Sequence, residues 1–132
     1  MLFRSQQDRS HLYSVPAHLE LNQWGLAGMW TDRAQSARLD SARCRIVFRF
    51  HARDVHLVLG PPPDGKAIRF RVRIDGQAPG PNHGIDTDDE GNGKITEHRL
   101  YQLIRQKKTI EDRTFEIEFL DAGAEAFAFT FG

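Results

Sequence analysis

The chain is short of cysteine, of net charge and of long apolar runs, and each shortage removes a class of protein. The single cysteine, Cys44, cannot close an internal disulfide, so no disulfide framework holds this fold. Eighteen basic and eighteen acidic residues cancel. That balance withholds the sequence-independent attraction to phosphate that supplies most nucleic-acid affinity, so no nucleic-acid partner is expected. No apolar run reaches the 18 to 20 residues of a membrane span, and the opening Met-Leu-Phe-Arg-Ser-Gln-Gln-Asp lacks a signal-peptide hydrophobic region. The expectation is no direct membrane insertion and no export signal in this segment. No nucleophile, base and metal set assembles along the sequence either, which argues against an autonomous enzyme.

What is present is alternation. Ile68, Phe70, Val72 and Ile74 alternate with Arg69, Arg71, Arg73 and Asp75, giving a strand with one dry face. The same period runs through residues 44–50, 55–59, 115–119 and 127–131. The fold class read from it is all-β, a β-sandwich. In 132 residues, one domain buries roughly two thirds of its unfolded surface, enough for a core without staples. Cys44 shares parity with Ile46, Phe48 and Phe50 and reads as a small buried hydrophobe. Phe48, Phe50, Phe70, Phe115, Phe119, Phe127, Phe129 and Phe131 all fall on strands and are expected to form the core, each contributing about 1.5 to 3 kcal/mol when buried.

Residues 1–17 are polar and lack periodicity, with Pro16 as a breaker, and read as an arm or linker remnant; the domain is expected to span residues 18–132. Residues 19–31, broken by Gly25 and Gly28, predict two short strands or a strand with a bend. The Gly60-Pro-Pro-Pro-Asp-Gly65 loop predicts that the strands on either side are antiparallel neighbours. Residues 100–105 fit helix or strand, and the short run among β neighbours favours strand. The turn Asp121-Ala-Gly123 predicts a C-terminal hairpin between residues 113–120 and 126–131.

Four groups of side chains carry candidate chemistry. His51, Arg53, Asp54 and His56 lie where one strand ends and the next begins, a polar cluster for a rim, which His83 could join; capping of the turn is the simpler reading, and two histidines alone are weak evidence for a metal. Trp24, Trp30 and Tyr101, the last beside Arg99 and Gln102, are the rings on which a pyranose could stack, unless they belong to the core. Asp86, Asp88, Glu90 and Asn92 nearly match a calcium loop, but Glu90, Gly93 and the upstream Pro79-Gly80-Pro81 break the EF-hand pattern, leaving a β-sandwich calcium site or a solvated turn. Arg69, Arg71 and Arg73 face Glu116 and Glu118 at the same period, predicting a cross-strand charge ladder rather than an anion patch.

Three blocks, from Phe48-Arg-Phe-His to Leu59, Arg99-Leu-Tyr-Gln-Leu-Ile-Arg105, and the tail from Thr114 to Gly132, resemble the C-terminal module of DipZ-type thioredoxin-like proteins, which serve cytochrome c biogenesis and thiol-disulfide exchange. The resemblance covers residues 18–132. It implies a jelly-roll sandwich of the galactose-binding or carbohydrate-binding-module type, following a thioredoxin-like domain in cis or meeting one in trans. It also implies an extracytoplasmic or membrane-tethered context. The redox half of such proteins uses a Cys-x-x-Cys pair that this chain lacks, so disulfide exchange by this segment is not expected. The resulting expectation is a non-catalytic module for a carbohydrate or other polar small ligand, with His51, Arg53, His56, His83, Arg99, Tyr101 and Trp24 as ligand-binding candidates. The alternative is a structural module that docks on a redox domain or partner without a small ligand. An enzyme would need His51 or His56 hydrogen-bonded to a carboxylate such as Asp54 or Asp86 in one pocket.

Overall fold

The computed structural model describes residues 9–14, 18–32 and 36–132. It contains ten antiparallel strands: β1 (Arg9–Tyr13), β2 (Trp24–Asp32), β3 (Ala37–Leu39), β4 (Cys44–Phe50), β5 (Asp54–Gly60), β6 (Ile68–Ile74), β7 (Asn92–Ile95), β8 (Arg99–Arg105), β9 (Arg113–Phe119) and β10 (Glu125–Phe131). The only helical turn among the described residues is 3₁₀, Gly80–Asn82. Among those residues no helix is long and apolar enough to cross a membrane.

The strands follow the order β7-β6-β9-β4-β2-β3-β10-β5-β8, with β1 on β2. The path folds into a jelly-roll-like sandwich because β2 belongs to both layers. Its first half, from Trp24 to Ala27, pairs with β4; its second half pairs with β1 and β3. The change occurs at Gly28, whose φ of +102° is open to glycine, and where a Cβ would lie 2.6 Å from Cys44 Sγ. Cys44 is buried there, its Sγ 3.3 Å from the Met29 carbonyl and 3.2 Å from that of Ser41.

The dry faces meet as the alternation requires. On β6, Ile68, Phe70, Val72 and Ile74 are buried while Arg69 and Arg71 are exposed. Aromatic edges join the layers: Phe129 of β10 meets Phe115 of β9 at 5.9 Å and 89°, and Tyr101 of β8 meets Phe70 of β6 at 6.4 Å and 83°. Trp30 of β2 meets Phe119 of β9 at 6.1 Å and 79°. Edge-to-face pairs of this kind add about 0.5 to 1.5 kcal/mol beyond the area they bury.

Four expectations are corrected. β5 and β6 are not neighbours, nor do β9 and β10 form a hairpin: each pair is split between the layers, β5 and β10 in one, β6 and β9 in the other. Period-2 alternation shows which side of a strand is dry but not which strand lies beside it. Part of the expected arm is sheet, since β1 pairs residue by residue with β2 from Arg9↔Asp32 to Tyr13↔Gly28; residues 1–8 and 15–17 lie outside the described set. Finally, a register shift between Ala126 and Ala128 breaks the parity of the last strand. Phe129 is buried, at 2 % exposure, whereas Phe127 is half-buried and stacks on His98, and Phe131 is 38 % exposed.

Candidate functional site

Since consecutive strands change layers, three turns collect at one end of the sandwich: residues 40–43 between β3 and β4, 61–67 between β5 and β6, and 120–124 between β9 and β10. They border an open cavity of about 750 Å³. Leu39 and Ile68, both buried, with Pro62 and Leu120, give it apolar walls, while Arg38, Asp40, Asp64, Lys66 and Asp121 supply polar groups.

Local chemistry shapes that end. Gly123 has a φ of +103°, and a Cβ on it would sit 2.9 Å from Pro62 Cβ, so the third turn presses directly on the second. The Gly123 N–H donates to the Leu39 carbonyl at 3.0 Å and the Leu39 N–H to the Ala124 carbonyl at 2.9 Å, which ties the third turn to β3. Asp121 is gripped by Arg69, whose Nη2 reaches Oδ1 at 2.8 Å and whose Nε and backbone N–H reach Oδ2 at 3.1 and 2.9 Å. The side-chain hydrogen bond from Arg69 is the main cause that holds the Asp121 carboxyl down to about 2. Asp64 accepts the Lys66 N–H at 3.0 Å, closing an Asx turn. Asp40 accepts the Thr31 hydroxyl at 2.6 Å and lies 3.4 Å from Arg38 Nε. The Lys66 ammonium has no ion pair among the described residues. With Arg69 included, three cations accompany three carboxylates, so the charges around the cavity balance.

The residues nominated from sequence are placed elsewhere and do not form one site. His51 lies in the turn after β4 and is bonded through Nδ1 to Asp112 Oδ1 at 2.7 Å, both side chains about half exposed. Arg53 donates to Asp54 Oδ2 at 3.1 Å. Asp54 also meets Arg105 at 3.5 Å, so this end of β5 is an ion-pair cluster. His56 stands on β5 opposite Thr130 of β10 and Gln102 of β8. His83 packs alongside β8, its Nδ1 2.7 Å from the Gly84 carbonyl, in a groove of about 260 Å³ shared with Asp54, Gln102 and Ile104. Among the described residues neither His51 nor His56 hydrogen-bonds to Asp54 or Asp86.

Two nominations are corrected by burial. Tyr101 is wholly buried; its hydroxyl accepts the Thr96 and Glu97 N–H groups at 3.0 and 3.3 Å and donates to the Glu97 carbonyl at 2.8 Å. It leaves no ring face for a sugar. Trp30 is also core, its Nε1 donating to the Ala27 carbonyl at 2.8 Å. Trp24 is 36 % exposed and starts β2 opposite Phe48, at the end away from the cavity.

The acidic loop does not close around a common centre. Asp86 turns to β8, where Arg99 and the Gln102 N–H hold it; Asp88 Oδ1 accepts the Glu90 and Asn92 N–H groups at 3.0 and 2.8 Å; Asn92 Nδ2 leans on Glu90 at 3.4 Å. Among the described residues no three His, Cys, Asp or Glu side chains are grouped to hold a metal ion. Arg99 and the Gln102 N–H thus engage Asp86, and backbone N–H groups engage Asp88.

The ladder is present where the register allows it. Arg73 pairs with Glu116 at 2.8 Å and Glu118 at 3.4 Å, and Arg45 with Glu116 at 3.0 Å, but Arg69 turns to Asp121 and Arg71 to Asn92. The cavity residues Arg38, Asp40, Asp64, Lys66 and Asp121 were not singled out from sequence. Their signal lies in three polar turns, and it becomes readable only when alternate strands are known to change layers.

Among solved structures, a family two carbohydrate esterase from Clostridium thermocellum, in complex with cellohexaose, is similar over 74 % of this chain at 12 % identity and a TM-score of 0.52. The match spans 27 % of the esterase chain, so this chain corresponds to about a quarter of that protein. CsCBM6-3 from Clostridium stercorarium, in complex with cellobiose, matches 96 % of this chain and 88 % of its own at 10 % identity and a TM-score of 0.45. No curated protein matches. The family model described as "Thioredoxin like C-terminal domain" matches residues 3–132, nearly the whole chain. The chain therefore belongs to the thioredoxin-like C-terminal domain family.

Proposed function

We propose that this domain is a non-catalytic binding module that holds an oligosaccharide in the cavity between its three end turns and so positions an attached thioredoxin-like domain. The observation that carries the reading is the make-up of that cavity: apolar walls from Leu39, Pro62, Ile68 and Leu120, with cations and carboxylates in balance around them. A sugar needs that combination. Its C–H faces bury apolar surface while its hydroxyls donate to carboxylates and accept from Lys66 and Arg38, without asking for a net charge. The family two carbohydrate esterase, about a quarter of which is similar in fold to this chain, was solved in complex with cellohexaose, which supports the choice of ligand class. The thioredoxin-like partner we assign, from the sequence blocks, is of the DipZ type.

The test is a titration of neutral oligosaccharides, read by calorimetry and by melting temperature, on the wild type and on Ala122→Trp, which fills the cavity from its exposed rim. The reading expects saturable binding that raises the melting temperature of the wild type and is lost in the variant. Absence of binding by any sugar overturns it.

One observation favours the docking reading instead. Ile85 is 78 % exposed beside Gln102 and Ile104, and Leu100 is exposed on the same strand as Gln102, so apolar surface borders β8. A redox domain seated there would protect the Ile85 and Leu100 amides from hydrogen exchange in the two-domain protein.

A further inference from the structure

The end cavity is open, and Leu120 lies on its lining. That residue also borders a second depression, of about 460 Å³, on the outer face of β6 and β7 between Arg69, Arg71, Asn92 and Lys94. Gly93 stands between Asn92 and Lys94 on β7, and a Cβ on it would point inward into Phe70 and the Asp86 carbonyl. The two hollows share Leu120 as a common border and differ in charge.

In the second one the cations outnumber their partners. Arg71 lies opposite Glu118 in the β6–β9 register, but Glu118 is engaged by Arg73 at 3.4 Å and Arg43 at 3.6 Å. Arg71 donates only its Nε, to the neutral Asn92 Oδ1 at 3.1 Å, and makes no ion pair among the described residues, nor does Lys94. Arg69 is already neutralised by Asp121. The one carboxylate on the border, Asp88, accepts two backbone N–H groups through Oδ1. What remains is a guanidinium edge and an ammonium on adjoining strands, facing solvent over a shallow floor.

We infer that this depression is a subsite for a carboxylate, and that the ligand crossing Leu120 from the end cavity is an acidic oligosaccharide carrying uronic-acid units. The inference rests on the proposed sugar site and names its ligand class. The free Nη edge of Arg71 can take both carboxylate oxygens in one plane, a geometry that Lys94 reinforces as a point charge. Neutral units occupy the balanced cavity, and the charged unit lies over β6 and β7.

The test compares an oligogalacturonate with a neutral oligosaccharide of equal length, by calorimetry, on the wild type, Arg71→Gln and Lys94→Gln. The expected result is about tenfold tighter binding of the acidic probe, an advantage that either variant removes and that salt weakens, with neutral binding unchanged. Equal affinities for the two probes, or an acidic preference indifferent to both variants, overturn this inference and leave the sugar site standing. No binding of either probe overturns both. Binding of a polyglutamate peptide through Arg71 without any sugar binding also overturns it, in favour of an acidic protein partner. Both substitutions are on exposed strand positions, and unchanged melting temperatures show that a loss is not unfolding.

Discussion

Arg99 clamps Asp86 at two points, Nη2 to Oδ1 at 2.8 Å and Nη1 to Oδ2 at 3.2 Å, with its guanidinium carbon 3.8 Å from the centre of the Tyr101 ring. Asp86 also receives the Gln102 N–H at 2.7 Å, so this carboxylate helps fasten the long connection before β7 to β8, beside the Gly84 N–H to the Leu103 carbonyl and the Asp86 N–H to the Gln102 carbonyl. Asp86→Asn removes the charge and one acceptor. We expect a loss of about 1 to 3 kcal/mol in urea unfolding, with sugar binding in the end cavity retained.

The pH dependence follows from Asp86 and Asp121. Burial raises the Asp86 carboxyl, but hydrogen bonds from Arg99 and the Gln102 N–H, and the Arg99 and His56 charges, outweigh it and leave the group below its ordinary 3.8. Asp121 is held at about 2, against 3.8 when free, chiefly by the hydrogen bond from Arg69. Both folded values are depressed, so the stability they contribute is fully present above the unfolded carboxylate range and is lost as pH falls through the folded values. Melting temperature should therefore hold steady down to pH about 5 and decline between about 4 and 2. Asp121→Asn should flatten that decline.

Gly28 and Cys44 test the sheet change in β2. A methyl group at residue 28 meets Cys44 Sγ at 2.6 Å, on a backbone with φ of +102°. Gly28→Ala should cost about 2 to 4 kcal/mol, the sum of left-handed strain and overpacking. Adding Cys44→Ala should recover the packing part alone, so a double-mutant cycle should show a non-additive energy.

The bulge in β10 makes a further prediction. Phe129→Ala should cost about 3 to 5 kcal/mol, because its ring is buried between Phe48 and Phe115. Phe131→Ala, at a half-open edge stacked on Phe48 at 5.0 Å, should cost about 1 kcal/mol. Equal losses in chemical unfolding would contradict the different burial of the two rings.

Those two phenylalanines show how far the sequence could be read. Alternation located the strands because Ile68, Phe70, Val72 and Ile74 all turn inward, and the Arg73–Glu116 pair followed from the same period. One inserted residue at Phe127 reverses parity with no local signature. Tyr101 could not be told from a surface platform, because its burial depends on the Thr96 and Glu97 backbone groups that satisfy its hydroxyl. The end cavity was less legible still. Arg38, Lys66 and Asp121 lie far apart in the chain, and only the alternation of layers brings their turns together.

The most direct test of a sugar held between the three end turns is a ¹⁵N NMR titration with a neutral oligosaccharide such as cellohexaose. The account predicts amide shifts concentrated at Arg38, Lys66, Ala67, Leu120 and Ala122, saturating together. Shifts confined to Ile85, Leu100 and Gln102, or none at any residue, would contradict it.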